Sequence, residues 1–328
     1  MQSLKNKLTS LKNTPLTPLM KKILPYKVYS NIRDILIHDS NIRLYFDNHV
    51  FKINPKTMQT EGLIRVSYWD GRPNFGDVIG PYLISKITGK PIINIYSEKL
   101  PGLLTVGSIL QSINREGMTV WGSGLANMPT QETIENLVKY KPEILSVRGH
   151  YTANALVENG IQVPDSKFYG DPALILPKFF NPENVDDLKK ISICPHFTHK
   201  PFFLKNINND NVRIVDVQES VEKVVSQIKS SSVCISSSLH GLIIAQAYDI
   251  PWIWLEVDDK KLGFDDFKFN DFFSTLDSTQ VSHIKLSLEK IKNLDWEDLA
   301  KTSSLPNKKY SEDLILEVLL NNLSLSKQ

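Results

Sequence analysis

The sequence predicts an α/β protein made of two Rossmann-like domains whose mostly parallel sheets face a cleft, and three observations carry that prediction. Short apolar runs of strand length alternate with stretches of helical spacing from residue 62 to residue 257. At 328 residues the chain is too long for one small core and fits two domains of ordinary size. The alternation pauses once, at Pro177 to Asp187, where Pro, Asn and acidic residues gather as in a linker. These divide the chain into a basic N-terminal arm and irregular lead-in (1–60), an N-terminal α/β domain (61–185) and a C-terminal α/β domain (186–328).

In chain order, Leu63 to Tyr68 alternates as a strand, and Asp77 to Thr88 has helical spacing with Gly89 as its stop. Pro91 to Tyr96 is the next strand, Thr105-Val106-Gly107 ends another apolar run, and Met118 to Trp121 forms a further one. Glu143 to Val147 reads as a strand, followed by a helix from Tyr151 to Glu158 that ends at Gly160. Beyond the linker, Lys190 to Cys194, Val212 to Val217, Val233 to Ser236 and Trp252 to Val257 are strands, and Val221 to Ser230 is an amphipathic helix. Leu242 to Tyr248 reads as a buried helix, and a final helix, Ser311 to Leu320, is free to pack back on either domain. The first sixty residues show no regular pattern.

Composition narrows the function classes. Hydrophobic residues make up 41% and charged residues 23%, which is the balance of a folded globular chain. A net charge of +2, with no aromatic-basic recognition pattern, argues against a nucleic-acid partner. Cys194 and Cys234 both lie in apolar runs and read as buried thiols of a reducing compartment. No stretch approaches the roughly 20 apolar residues that a spanning helix requires, and no signal-peptide core is recognised. The expected location is cytoplasmic. Six lysines (Lys5, Lys7, Lys12, Lys21, Lys22, Lys27), interleaved with leucines and isoleucine, precede the first acidic residue, Asp34. That arm, residues 1–27, suits peripheral contact with an anionic membrane face, although Pro15 and Pro18 break its pattern.

In open α/β sheets ligands bind beyond the carboxyl ends of the strands. The loops there hold the candidate functional residues. Ser236-Ser237-Ser238-Leu239-His240-Gly241 sits where a strand passes into a helix, so free backbone N–H groups and the helix dipole favour an anion. His240 adds a group able to move a proton near neutral pH. Trp69 to Asp77 is long for a connection, and in it Asn74 and Asp77 serve as helix caps, as ligand contacts, or both, while Gly76 admits close approach. Trp121-Gly122-Ser123-Gly124 shows a Gly-x-Gly pair, but Asn127 stands where a dinucleotide fingerprint needs its third glycine. Arg148 ends a strand, where a guanidinium can grip a carboxylate or phosphate through two bonds. Asp171 precedes Pro172, placed to orient a histidine, bind a sugar hydroxyl or start a turn. His196 and His199 lie three apart without a third ligand at suitable spacing, so no metal is expected and His196 is read as a cleft residue.

Taken in order, Asn74-Phe75-Gly76-Asp77, Trp121-Gly122-Ser123-Gly124, Ser146-Val147-Arg148, Gly170-Asp171-Pro172, Pro195-His196 and Ser238-Leu239-His240-Gly241 resemble the polysaccharide pyruvyltransferase family. The Asn-Phe-Gly-Asp and Pro-His elements look most like its ketal-forming branch, which decorates bacterial exopolysaccharides. One departure stands out: many relatives carry arginine two residues before the motif histidine, and here that position is Ser238.

The resemblance implies a GT-B-like fold, phosphoenolpyruvate as donor, no cofactor, and a saccharide acceptor of the lipid-linked kind. On that basis His240 is assigned to proton transfer at the phosphate end, Arg148 to the donor's carboxylate or phosphate, and Ser237 and Ser238 to the anion cradle. Asn74, Gly76, Asp77, Gly122, Ser123, Asp171 and His196 line the site, with Asp77 a base for the sugar hydroxyl. The competing expectation is a nucleotide-sugar glycosyltransferase on the same scaffold, with Glu256, beyond Trp252 and Trp254, as its ribose-binding carboxylate. A non-catalytic scaffold that docks through the basic arm ranks below both.

Overall fold

The computed structural model describes residues 42–46, 49–53, 63–97, 100–183, 191–259 and 266–325. The basic arm, residues 1–27, lies outside them, as does the tail of the expected linker, residues 184–187. Among the described residues no helix is long and apolar enough to cross a membrane.

The first sheet is built from β1 (Ile42–Phe46), β2 (His49–Ile53), β3 (Ile64–Ser67), β4 (Ile92–Asn94), β5 (Gly102–Leu104), β6 (Met118–Trp121) and β7 (Glu143–Ser146), in the order β2-β1-β4-β3-β5-β6-β7. Strands β4, β3, β5, β6 and β7 run parallel, while β1 pairs antiparallel with both β4 and β2. Part of the lead-in, unplaced by periodicity, is therefore an edge hairpin of the first sheet. Its strands are only five residues long, which is too short for period-2 alternation to stand out. The second sheet contains β8 (Ile191–Cys194), β9 (Val212–Ile214), β10 (Val233–Ser236), β11 (Trp252–Val257) and β12 (His283–Leu286), all parallel, in the order β12-β11-β10-β8-β9.

The two parallel sets share one topology. In each, the first strand lies between the second and the third: β3 between β4 and β5, β8 between β9 and β10. The strand order therefore reverses beside β3 and beside β8, and a crevice opens at the carboxyl ends of the strands at each reversal.

Among the described residues ten α-helices accompany the strands: α1 (Phe75–Thr88), α2 (Gln131–Tyr140), α3 (His150–Val157), α4 (Lys200–Asn206), α5 (Val221–Lys229), α6 (Leu239–Ala247), α7 (Phe267–Phe273), α8 (Leu288–Lys292), α9 (Trp296–Ala300) and α10 (Glu312–Leu325). Alternation along the strands sorts the core into three clusters. Ile93, Leu104, Met118 and Val120 point to an outer layer with α2 and α3, and Ile191, Ile193, Ile235 and Ile253 point to another with α4, α8 and α9. The opposite faces (Val66, Ile92, Leu103 and Trp121 of the first sheet; Cys194, Cys234, Trp252 and Trp254 of the second) meet in one continuous central core.

Helices α1, α5, α6, α7 and α10 fill that central layer. Helix α6 is apolar on every side, as a helix sandwiched between packed elements must be. Tyr82 of α1 donates to Glu222 of α5 (2.9 Å), and Trp121 of β6 donates through Nε1 to the Ile315 carbonyl of α10 (2.8 Å). Both bonds tie elements distant in sequence across the central layer.

Candidate active site

The reversal points of the two sheets face one another through helix starts. After β3, the loop reaches α1, whose N-cap is Asn74: its Oδ1 accepts from the Gly76 N–H (3.3 Å) and its Nδ2 donates to Asp77 Oδ2 (2.9 Å). Asn74 therefore caps the helix and holds Asp77 at once. The Phe75 N–H donates to the Val217 carbonyl (2.8 Å), stitching the start of α1 to the second half.

After β10 comes α6, with Ser238 as an N-cap that makes no side-chain capping bond, and His240 in the first turn. A β-carbon on Gly76 would lie 2.2 Å from His240 Nδ1, so only glycine lets the two helix starts approach this closely. Two helices of 14 and 9 residues thus bring their positive ends together at one histidine.

Asp171, at the other end of the first half, caps the 3₁₀ turn Pro172–Lys178 by accepting through Oδ1 from Ala173 N–H (2.9 Å). Its other oxygen, Oδ2, is fully buried without a hydrogen bond and lies 3.9 Å from His240 Nε2, which is likewise buried and unbonded. That separation is too long for a direct hydrogen bond and invites a shared ligand atom or proton. His196, after β8, is held by its backbone: its N–H donates to Ser237 Oγ (3.0 Å), which is also bonded to His199 Nδ1 (3.0 Å). At the rim, the Arg72 guanidinium of the first half lies over the Phe197 ring of the second, 5.6 Å from its centroid.

The titrations share a pattern. Burial pushes His240 down to about 3, assisted by the positive charges of Arg148 and Lys268. Burial, with Lys268 and His199, does the same to His196, again to about 3. Lys268 is itself held down at about 8 by burial and by Arg148, against the pull of Asp77. Burial raises Asp77 to about 7 and Asp171 to about 6. Asp77 keeps some solvent contact along the cleft, but protein atoms crowd its carboxyl enough to disfavour charge. At neutral pH the histidines stay neutral, Asp77 is about half protonated and Asp171 mostly ionised, so burial weakens the negative charge of the pocket without removing it.

Several expected contacts lie elsewhere. Arg148 is 0% exposed, and its guanidinium is committed to protein: Nε donates to Asp271 Oδ2 (2.9 Å), one terminal nitrogen to Ser108 Oγ and the other to the Leu125 carbonyl (2.6 Å). Every nitrogen of the buried guanidinium is already bonded to protein, so Arg148 acts on the cleft by its field and by anchoring α7. Ser123 is also fully buried, donating to the Gly107 carbonyl (3.0 Å), and Gly122, at φ 74°, packs against Pro172. These two shape the wall behind Asp171. Ser237 is spent on positioning His196 and His199. For Arg148, Gly122 and Ser123 the physical reason is shared: the loops after β6 and β7 lie away from the strand-order reversal, so packing claims them.

Lys268 and Asp271 drew no attention in the sequence, although both sit on α7. Asp271 accepts from the Thr152 N–H (2.8 Å) and Thr152 Oγ1 (2.7 Å) as well as from Arg148, docking α7 on the start of α3. Four aromatic residues within Phe267 to Phe273 signal a helix buried on most sides, the one local clue to its importance. Among the described residues no group of three His, Cys, Asp or Glu is placed to hold a metal ion.

Fold and site together define a two-sheet α/β protein with an anion-seeking, proton-handling cleft at the carboxyl ends of its strands. Residues 111–259 match the family model of the polysaccharide pyruvyl transferases, bearing out the resemblance seen in the loops. The chain is 28% identical over 245 residues to an uncharacterized protein of Acanthamoeba polyphaga mimivirus, spanning 72% of this chain and 83% of that one. It is also 28% identical over 222 residues to succinoglycan biosynthesis protein ExoV of Rhizobium meliloti, covering 65% of each chain. No solved structure matches.

Proposed function

We propose that this protein transfers the pyruvyl group of phosphoenolpyruvate to two hydroxyls of a saccharide, closing a cyclic ketal and releasing phosphate. The observation that carries this reading is the convergence of the α1 and α6 starts at His240, beside a fully buried carboxylate oxygen of Asp171 that has no partner. Such a place suits a small anion whose reaction needs protons moved. The match to the transferase family over residues 111–259, which include Asp171, His196 and His240, supports the same chemistry. A GT-B-like division of labour accompanies it, the second half holding the donor and the cleft mouth near Arg72 and Phe197 receiving a lipid-linked saccharide.

The order of protonation follows from the titrations. Asp77, pushed up to about 7, is about half protonated at neutral pH, and its protonated form delivers the proton to the methylene carbon of the donor. The adjacent carbon becomes electrophilic, and a sugar hydroxyl adds there as neutral His240 takes its proton. The roles of Asp77 and His240 are thus acid and base, the reverse of the assignment Asp77 carries by resemblance. A second hydroxyl then displaces phosphate, which leaves with that hydroxyl's proton. One methylene becomes methyl, two hydroxyls become ketal oxygens, and the proton taken by His240 returns to Asp77, the stronger base, so that atoms and charge balance and the enzyme is restored. The phosphate sits against the amides at the start of α6, where Ser238 leaves the capping position open.

The nucleotide-sugar alternative loses its main residue. Glu256 is engaged by His283 Nε2 (3.1 Å) and Lys285 Nζ (2.5 Å), and Trp254 is stacked between Phe269 and His283, so neither presents a ribose site. The deciding test incubates the protein with phosphoenolpyruvate and acceptor oligosaccharides and reads the products by mass spectrometry. A mass gain equal to one pyruvate ketal, with stoichiometric phosphate release, is expected. Transfer of a sugar from a nucleotide donor in its place would overturn the reading.

A further inference from the structure

Two buried polar atoms face each other across the start of α6 without a hydrogen bond. Asp171 Oδ2 and His240 Nε2 are 3.9 Å apart, both are buried and unbonded, and Asp171 is 0% exposed. The carboxyl is held in place, because its Oδ1 accepts from the Ala173 N–H (2.9 Å) and thereby caps the following turn. With that cap made by Oδ1, and with Oδ2 sealed from a sugar hydroxyl, the use left for Oδ2 is the histidine it faces. The two ring nitrogens of His240 have different surroundings. The side chain keeps 12% of its surface exposed, almost none of it at Nε2. A β-carbon at Gly76 would meet Nδ1 first (2.2 Å), then Cγ (2.7 Å) and Cβ (3.1 Å). The Nδ1 edge therefore lies at the start of α1, one residue from Asp77.

From this geometry we infer that Asp171 is a positioning residue: it accepts the Nε2–H of His240, fixing the tautomer whose lone pair is on Nδ1, where the saccharide hydroxyl gives up its proton. The identity of that proton rests on the pyruvyl-transfer reading; the pairing itself rests on the facing atoms. Closing 3.9 Å to a bond of about 2.8 Å takes roughly 1 Å, the kind of tightening that catalytic hydrogen bonds undergo when substrate arrives. Burial keeps His240 neutral, while Asp171, at about 6, is mostly ionised at neutral pH, so the pair is a neutral donor and an anionic acceptor. No proton passes to the carboxylate. The hydroxyl proton arrives on Nδ1, Nε2 keeps its own, and Asp171 offsets the imidazolium charge until Nδ1 gives its proton up to Asp77. That offset makes Nδ1 a stronger base in the closed pair than burial alone would leave it.

The test uses the full chain and compares the wild type with Asp171→Asn. The asparagine carbonyl still accepts from the Ala173 N–H, which turns the amide NH₂ toward His240 and favours the opposite tautomer. In the ketal assay kcat is expected to fall about 10²- to 10⁴-fold, with the KM for phosphoenolpyruvate little changed. Nitrogen-15 NMR of histidine-labelled protein at neutral pH reads the tautomer directly, the His240 signals among seven histidines being identified by their loss in His240→Asn. The wild type should carry its proton on Nε2, and Asp171→Asn should carry it on Nδ1. A wild type protonated on Nδ1 overturns the inference. So does Asp171→Asn with unchanged kcat, or with reduced kcat and an unreversed tautomer, which is the mark of a merely structural carboxylate. If Asp171→Asn does not fold, the wild-type tautomer decides alone. A wild type that makes no ketal overturns the pyruvyl-transfer reading, and the tautomers still decide whether Asp171 sets the histidine.

Discussion

Helix α7 carries two charged residues three positions apart with opposite fates. Asp271 is 0% exposed and saturated: Arg148, the Thr152 amide and the Thr152 hydroxyl all donate to it within 2.9 Å. Lys268 faces Asp77, His196 and His240, and every one of these groups, the lysine included, is shifted away from its ordinary titration. The first arrangement is scaffold, because a buried ion pair with all its bonds made gains nothing from a ligand. The second is chemistry in waiting, because groups held off their ordinary titration by burial are the kind that functional sites use as acids and bases. One seven-residue helix joins them, so the position of the reactive cluster depends on the saturated pair.

Breaking the saturated pair should have the largest effect. Asp271→Ala leaves Arg148 charged and buried without its carboxylate, and is expected to cost about 3–5 kcal/mol of stability. Chemical denaturation measures it, and a loss under 1 kcal/mol would show that the pair is not structural. Breaking the reactive cluster should act on rate instead. His240→Asn is expected to lower kcat about 10²- to 10⁴-fold in the ketal assay. His240→Asn should also change the acid limb of stability. His240 titrates lower when folded than when unfolded, so the wild type loses stability as pH falls below about 6.5 toward 3. The variant lacks that loss, and unfolding midpoints at pH 7 and pH 5 reveal the difference.

Asp77 sharpens the contrast with the sign reversed. Its carboxyl titrates higher when folded, at about 7, than an ordinary aspartate at 3.8, so ionisation opposes folding as pH rises through that window. Asp77→Asn should therefore stabilise the protein at pH 8 by on the order of 2 kcal/mol, reduced by the solvent its side chain still sees, and by nothing at pH 4. Pyruvyl transfer should fall in the same variant. A destabilised Asp77→Asn at pH 8 would mean that the carboxylate is paired and structural, like Asp271. The smallest effect belongs to Ser123. Its buried hydroxyl serves only the Gly107 carbonyl, so Ser123→Ala should cost about 1 kcal/mol and leave the KM for phosphoenolpyruvate unchanged.

Much of this was legible in the sequence. The strand beginning near residue 63, the helix stopped by Gly89, the strand ends at Trp121, Ser146, Cys194 and Ser236, and the helix after Ser238 all stand where periodicity and capping residues put them. Val212 to Val217 is shorter than its apolar run suggests, ending at Ile214, because Asp216 turns away to pair with Lys200 (2.8 Å). Asn74, Asp77, His196 and His240 do gather at one place. Less visible was the rank of the loops: each looked like a polar strand end, and only the sheet order separates those at a reversal point from those behind it.

Local pattern by itself determined the alternation of strands and helices, the Gly89 stop of the first helix and the histidine at the centre of the cleft, because alternation, caps and glycines are properties of a few neighbouring residues. The tertiary structure alone decided what surrounds each charge. Arg148 and Lys268 are both cations in apolar surroundings, and nothing beside either in the chain foretells that Asp271, 123 residues away from Arg148, consumes one while Asp77 and two histidines frame the other. Burial and pairing are set by contacts between distant segments, and those contacts divide structural charge from functional charge.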